Sequence, residues 1–393
     1  MGMVQADVCV IGGGIAGLSA AAHVAECQRV VLLERESQLA YHTTGRSAAL
    51  FDETYGNPTI GVLTRASRSF YLHPPQGFAD TPLLNHRGSL FIATEEQRAA
   101  LADVAEEIRA GGGAVVLGDG AAARAQVPVF AQSVVACLYY AESWDIDVGA
   151  VVAGFRRLLR ARGGQIITDA PVEALEQKGS AWLVRAGATS VQAATVIDAA
   201  GAWADEVAQL AGVAPVAIEP RRRTALTVDL PAGVDARAWP FVGDVEERFY
   251  FRPEAGRLLL SLADETHSPP CDAQPEDEDV AETVDRVERA TTMSFNRVVS
   301  AWAGLRSFVR DRRPVVGYDA AAPGFFWLAG QGGYGFQTAP GIARCAAALV
   351  RGEPLPADIA DAGVTVETLG PGRLRTIGPG EAHQDPPSPE GRR

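Results

Sequence analysis

The chain has 393 residues, 47% of them hydrophobic and 21% charged, and a net charge of −13. That length holds two or three domains, and the balance excludes a mainly disordered chain. Five scattered cysteines exclude a disulfide-stapled scaffold, and the acidity leaves no basic footprint for nucleic acid.

No apolar run of about 18 residues is free of charge, so no integral membrane segment is expected. The N-terminus lacks a basic segment followed by an apolar one, so a cytoplasmic location with reduced thiols is expected. None of the six histidines joins a metal or triad constellation, and no metal is expected.

Asp7-Val8-Cys9-Val10-Ile11 reads as a buried parallel strand. Gly12-Gly13-Gly14-Ile15-Ala16-Gly17 follows, then an alanine-rich helix, then Val30-Val31-Leu32-Leu33 ending at Glu34 and Arg35. Gly12, Gly14 and Gly17 satisfy G-x-G-x-x-G, and Glu34 lies about 20 residues beyond, the spacing of a dinucleotide fingerprint. Gly12 permits the tight turn, Gly14 lets backbone approach a pyrophosphate, and Gly17 lets helix and strand pack closely. The helix N-terminus attracts phosphate charge, and Glu34 can accept from ribose hydroxyls, which favours FAD or NAD over NADP.

Residues 51–145 mix strands and loops, with a charged helix over about 95–110. Val148, Val151, Val152, Phe155, Leu158 and Leu159 recur at helical spacing over 147–162, and Gly163-Gly164 ends that helix. Two strands are expected at 165–168 and 194–198, the second running into Ala199-Ala200-Gly201-Ala202-Trp203. Residues 214–265 read as strand-rich, 267–279 as an acidic loop and 280–300 as helix.

A second match, Gly330-Gln331-Gly332-Gly333-Tyr334-Gly335, follows the apolar run 325–329. It precedes a helix expected over about 338–350 with Pro340 near its first turn. No second strand follows, so this is not read as a second dinucleotide site. A helix N-terminus and glycine amides there suit a flavin ring, stabilising charge on its reduced edge. Residues 370–393 read as a disordered tail.

Residues 7–17, Glu34, Thr43-Thr44-Gly45-Arg46-Ser47-Ala48, Ala199-Ala200-Gly201-Ala202-Trp203, Trp302-Ala303-Gly304-Leu305-Arg306 and residues 332–338 occur in this order. Together they resemble the FAD-dependent D-amino acid oxidase-like superfamily, and within it the bacterial D-arginine dehydrogenase-like group, over about residues 4–360. The resemblance implies α/β plus α+β architecture: a Rossmann-type FAD domain of the glutathione reductase kind, and a smaller substrate domain on an antiparallel sheet. Its segments would be 1–50, 147–213 and 300–360 for FAD, and 51–146 and 214–299 for substrate.

It further implies noncovalent FAD held along Gly12, Gly14, Ile15, Ala16, Gly17, Glu34, Arg35, Thr43, Thr44, Gly45, Arg46, Ser47, Ala48, Val172, Ala200, Gly201 and Trp203. The same cofactor would meet Arg306, Gly332, Gly333, Tyr334, Gly335, Gln337 and Thr338. Cys345, on an alanine-rich helix face, is read as packing rather than as a covalent link. Arg223 and Arg306 look like the pair that clamps a substrate carboxylate, which planar guanidinium groups do with charge-assisted bonds. Tyr55 and Tyr250 look like pocket residues over the flavin, and the Gly333 carbonyl like the acceptor for the substrate amine. Residues 47–56 resemble a mobile active-site loop.

The implied activity is oxidation of the Cα–N bond of a D-amino acid, by hydride transfer to flavin N5. The imino acid formed would hydrolyse to a 2-oxo acid and ammonia. The chain departs from the D-arginine dehydrogenase pattern where that group carries an acid and a histidine: here stand Ser89 and Leu50. A buried cation without a partner is costly, so neutral or apolar side chains are expected; Asp52 and Glu53 on the loop argue the other way. The chain's single lysine, Lys178, lies in a polar, turn-like segment, unlike the flavin-side lysine of sarcosine-type oxidases. That inclines the expectation to a dehydrogenase, with a quinone or oxygen as acceptor. The alternatives are oxidation of an N-methyl or cyclic secondary amino acid, and a non-catalytic flavin-binding carrier or sensor.

Overall fold

The computed structural model describes residues 3–375. A six-stranded sheet runs in the order Gln165–Ile167, Val30–Leu33, Val8–Ile11, Thr195–Asp198, Phe325–Ala329, Val315–Tyr318. Its pairings are parallel except the last. The four strands Val8–Ile11, Val30–Leu33, Thr195–Asp198 and Phe325–Ala329 are buried at every residue, as strands covered on both faces must be.

The two-residue period of a strand divides them between two cores. Val8, Val10, Leu32, Ile197 and Leu328 pack with the helices Ile15–Val24, Val148–Ala161 and Gly335–Val350. Cys9, Ile11, Val31, Leu33, Val196 and Trp327 face the opposite side, against Leu175, Trp182, Val184 and Val191. Those last four belong to a four-stranded sheet of Met3–Gln5, Thr189–Ala193, Ala181–Ala186 and Val172–Lys178.

A second, nine-stranded sheet contains Glu219–Val228, Arg257–Ser261, Tyr250–Glu254, Phe241–Asp244, Ser89–Ala93, Ala136–Tyr140 and Val115–Asp119 in that order. Thr266–His267 and Val298–Phe308 both pair with Glu219–Val228. Only the contact between Phe241–Asp244 and Ser89–Ala93 is parallel. This is the expected architecture, a Rossmann-type α/β part beside a largely antiparallel sheet. The boundary expected at 300 falls inside Val298–Phe308, whose pairing with Glu219–Val228 carries it into the large sheet.

Several expected elements shift. The helix expected over 280–300 is Asp277–Ala290. Asp277, Glu278 and Asp279 in its first turn complement the positive helix end, and the β-branched Val298 and Val299 open the next strand. The last helix starts at Gly335, which puts Pro340 inside it. Proline offers no amide to the carbonyl of Phe336; the Tyr71 hydroxyl donates to that carbonyl instead. Gly341 N donates to Ser67 Oγ at 2.9 Å. The helix Pro58–Leu72 thus repairs the defect in its neighbour.

The tail expected from 370 is ordered through Arg375. Pro371–Leu374 forms a 3-10 turn, with Arg373 paired to Asp311 at 2.8 Å and Arg375 to Asp319 at 3.1 Å. Residues 376–393 of that expectation lie outside the described residues. Among the described residues no helix is long and apolar enough to cross a membrane, and no cluster of His, Cys, Asp and Glu has the geometry to hold a metal.

Candidate functional site

The glycine-rich loop after Val8–Ile11 is built for close approach. Gly12 has φ +107°, and a Cβ there would lie 2.4 Å from the Ala199 carbonyl oxygen. A Cβ on Gly17 would meet the Gly12 carbonyl oxygen at 2.0 Å. Gly14 is the extended N-cap of Ile15–Val24. Glu34 is buried, and each of its oxygens accepts one backbone donor: Gly13 N at 2.7 Å and Glu36 N at 2.9 Å. Those bonds fix the carboxylate and leave it lone pairs for a diol.

Around this end, Thr44 Oγ1 accepts from Ile15 N at 3.0 Å. Ala16 opens the same helix. The Arg35 guanidinium lies 4.4 Å over the Trp203 ring. Ala200 and Gly201 form the turn into Gly201–Trp203, where Asp198 Oδ1 accepts from Ala200 N at 3.1 Å. Val172 begins its strand two residues after Ala170, whose N donates to Glu34 O at 2.9 Å. The fingerprint residues and Val172 therefore gather at one end of the parallel sheet. Gly45 is required by crowding, since a Cβ would sit 2.3 Å from Ala40 O.

A cavity of about 460 Å³ opens between this end and the nine-stranded sheet. Its wall includes Thr43, Thr44, Arg46, Ser47, Ala48, Leu50, Asp52, Tyr55, Ser89, Arg223, Tyr250, Arg306, Gly332, Gly333, Tyr334, Gly335 and Gln337. Strand register explains the arginines. Arg221 pairs with Arg306 and Arg223 with Gly304, so Arg223 and Arg306 are diagonal neighbours on one face, and the glycine opposite Arg223 leaves the space open. Val298–Phe308 continues to a bridge between Ser307 and Gly332. That bridge lays the glycine-rich turn against the arginine: a Cβ on Gly333 would lie 2.8 Å from Arg306 Cζ.

Arg306 Nη1 donates to Tyr55 Oη at 3.5 Å and lies 4.0 Å from Glu265. Burial works against its charge, but the hydrogen bond to Tyr55 and the Glu265 carboxylate favour it, and the guanidinium stays protonated. Arg223 Nε donates to Asp264 O at 2.6 Å. Burial pushes the Tyr55 and Tyr334 phenols up, so both remain neutral donors near neutral pH. Their rings lie 5.1 Å apart, and Tyr250 lies 5.2 Å from Phe241. Gln337 Nε2 donates to Tyr55 O at 3.2 Å, which ties the 50–57 loop to the last helix.

Four expected site residues stand elsewhere or are engaged. Glu53 is paired with Arg68 at 3.0 Å and is not on the cavity wall, because the tight turn after Leu50–Asp52 directs it to the helix Pro58–Leu72. Asp52 lines the cavity, but it is buried and its Oδ1 accepts from Thr54 N and Oγ1 at 2.8 and 2.7 Å. Burial raises its pKa, with Thr54 partly offsetting. Thr338 is wholly buried and donates to Tyr334 O at 2.7 Å within its helix, off the cavity wall. Ser89 meets a second hydroxyl, Ser143 Oγ, at 2.8 Å.

Sequence reasoning missed Phe91, Phe241, Phe249 and Val245, the apolar wall, and also Glu265. The alternation of Ser89–Ala93 carried the signal for Phe91, since it shares a face with Ser89. Glu265 carried none, being one acid at the end of the stretch read as strand-rich. Lys178 is exposed and paired with Glu176 at 2.8 Å, in the sheet beyond the parallel strands. Cys345 is fully buried among apolar residues, and burial pushes its thiol up to about 12.

These features fit FAD: a glycine cradle closed to any side chain, an oriented buried acid, and a cavity reached by the glycine-rich turn. Gln331 Nε2, in that glycine-rich turn, is also buried without a protein partner. Glu34, Gly12, Gly14 and Gly17 would hold the dinucleotide, and Thr43–Arg46 and the 332–337 turn the ring end.

Known proteins agree. A family model described as FAD dependent oxidoreductase (DAO) matches residues 7–349. FAD-dependent oxidoreductase domain-containing protein 1 from Bos taurus is 25% identical over 397 residues, covering 88% of this chain and 81% of that protein. The mitochondrial dimethylglycine dehydrogenase of Mus musculus is 25% identical, covering 89% of this chain and 43% of its own length. Among solved structures, glycine oxidase from Geobacillus kaustophilus superposes with a TM-score of 0.79 at 20% identity, covering 92% and 99% of the two chains. L-proline dehydrogenase from P. horikoshii gives 0.80 at 19%, covering 95% and 98%. The fingerprint, the cavity and the matched length lead to one assignment: the chain belongs to the DAO family of FAD-dependent oxidoreductases.

Proposed function

We propose that the protein oxidises the Cα–N bond of a D-amino acid with a neutral or apolar side chain. The observation that carries the reading is the diagonal pair Arg223 and Arg306 on one cavity wall, with Gly333 against Arg306. FAD, held noncovalently, supplies the two-electron acceptor when bound.

The chain's own residues orient the substrate. Arg306 and Arg223 hold its carboxylate by charge-assisted bonds. The Gly333 carbonyl accepts from its amine, so two anchors fix which face of Cα is presented. Tyr55 and Tyr334, as neutral phenols, close the pocket with Tyr250 and exclude water. The side chain extends towards Leu50, Ser89 and Phe91. Ser89 is satisfied by Ser143, and Asp52 Oδ1 accepts both Thr54 donors; Leu50 and Phe91 beside them support a neutral side chain, while Glu107 and Glu247 on the same cavity wall are the carboxylates a cationic one would meet. Loss of a hydride from Cα and a proton from nitrogen leaves an imino acid, which water converts to a 2-oxo acid and ammonia. The exposed, distant Lys178 supports a dehydrogenase over a lysine-assisted oxidase. The cytoplasmic location expected from sequence is part of the same proposal, set beside a relative named as mitochondrial.

A second reading is comparable: oxidation of an N-methyl or cyclic secondary amino acid at the same anchors. It is supported by relatives named dimethylglycine dehydrogenase and L-proline dehydrogenase. Product analysis separates the two. Ammonia with a 2-oxo acid supports the first, and formaldehyde or a retained amine supports the second. Rates with D-leucine and D-phenylalanine well above D-arginine are expected; a large preference for D-arginine refutes the neutral-pocket reading.

A further inference from the structure

Two largely buried guanidinium groups that wait for a carboxylate need a counter-charge of their own. It is supplied by Glu265, in the loop between Arg257–Ser261 and Thr266–His267. Glu265 Oε1 lies 3.4 Å from Arg223 Nη2 and 4.0 Å from Arg306 Nη1. Its close contacts go instead to a third arginine: Arg312 Nη2 donates to the two oxygens at 3.0 and 2.8 Å. Burial would raise the Glu265 pKa, but Arg312, Arg223 and Arg306 lower it, so the carboxylate stays ionised. Arg312 is itself braced. Its guanidinium lies 4.0 Å over the Phe308 ring, and its carbonyl accepts from Asn57 Nδ2 at 2.9 Å.

We propose that Glu265 is a specificity-determining positioning residue: an internal competitor for Arg223 and Arg306 that Arg312 holds at a distance, so that the Glu265–Arg312 pair sets the affinity of the site for carboxylates. This rests on reading Arg223 and Arg306 as the carboxylate anchors. Glu265 orients both guanidinium groups through its longer contacts. It leaves them under-neutralised because its strongest bonds are made elsewhere. An incoming carboxylate therefore replaces weak contacts and not a tight ion pair.

The test is titration of the holoenzyme with sodium acetate, followed by the flavin absorption change, with acetamide as the neutral control. Wild type should bind acetate, and Arg306→Ala should bind it far more weakly. Glu265→Gln keeps an oxygen for Arg312 and drops the charge, so it should bind acetate roughly ten-fold tighter, between the bulk-water and protein-surface limits for one charge about 4 Å away. Arg312→Met releases Glu265 onto the anchors and should bind acetate roughly ten-fold weaker. The double variant should match Glu265→Gln, because the competitor is gone. Acetamide affinity should not change in any of them.

A double variant back at wild-type affinity means two independent charges and overturns the proposal. So does Glu265→Gln with unchanged or weaker acetate binding. Should Glu265→Gln fail to fold, Arg312→Met with unchanged or tighter binding overturns it alone. In each of these cases a weakened Arg306→Ala leaves the anchor reading standing. Wild type that ignores acetate, or Arg306→Ala that binds it normally, overturns both.

Discussion

Gly333→Ala is a small change with a large expected effect. The added Cβ would lie 2.8 Å from Arg306 Cζ, 2.9 Å from Nη1 and 3.0 Å from Nε. Non-bonded carbons rest near 3.5 Å, so the guanidinium must retreat by roughly 0.7 Å. Gly333 is not in the left-handed region, so alanine suits its backbone and the cost falls on the contact. Arg306 Nη1 also donates to Tyr55 at 3.5 Å and lies 4.0 Å from Glu265, so a retreat of the guanidinium disturbs both contacts. Misplacing a substrate-positioning group by about 1 Å costs roughly a hundred-fold. A ten- to hundred-fold loss in the efficiency of flavin reduction is therefore expected, about 1.4–2.7 kcal/mol. Anaerobic stopped-flow reduction over a range of substrate concentrations measures it, with the thermal midpoint as a control for folding. Wild-type efficiency in a folded Gly333→Ala protein would refute the claim that this glycine seats Arg306 against the substrate.

Three further outcomes are expected. Arg306→Ala should lose at least ten- to hundred-fold in kcat/KM, since each charge-assisted bond contributes about 1.5–3 kcal/mol; unchanged efficiency would remove Arg306 from the anchor role. Tyr71→Phe should destabilise by about 1–3 kcal/mol by orphaning the Phe336 carbonyl that Pro340 cannot serve, and a urea midpoint equal to wild type would contradict that. Burial raises Cys9 and Cys345 from the ordinary 9.0 to about 12. The unfolded chain therefore releases these protons first, and stability should fall as pH rises between those values. Replacing either thiol with alanine should flatten that slope by up to about 1.4 kcal/mol per pH unit, and an unchanged slope in urea titrations would refute it.

The parallel core was legible because its strands are apolar runs and the glycine fingerprint has strict spacing; Gly12, Gly17 and Glu34 stand where that pattern requires. The arginine pair was legible through resemblance alone, since Arg221-Arg222-Arg223 carries no mark of which side chain faces inward. Register decides it: Arg222 turns to Glu276 and Asp279, while Arg223 faces Gly304 across the strands. Pro340 misled the reading of the last helix because its remedy, Tyr71, lies more than 250 residues away in the chain. Glu53 misled because adjacent acids in a tight turn point apart, one inward and one to Arg68. Glu265 was invisible for the same kind of reason: its three arginines meet only after the sheet is formed.

The most direct measurement is anaerobic bleaching of the purified holoenzyme near 450 nm, about where oxidised flavin absorbs. The panel is D-amino acids, their L-enantiomers and sarcosine. Readmitting air afterwards should restore the colour slowly if the acceptor is not oxygen. Rapid bleaching by neutral D-amino acids, with L-enantiomers and sarcosine inert, is the predicted result. Bleaching by sarcosine and not by D-amino acids, or by none of the panel, would contradict the proposed reaction.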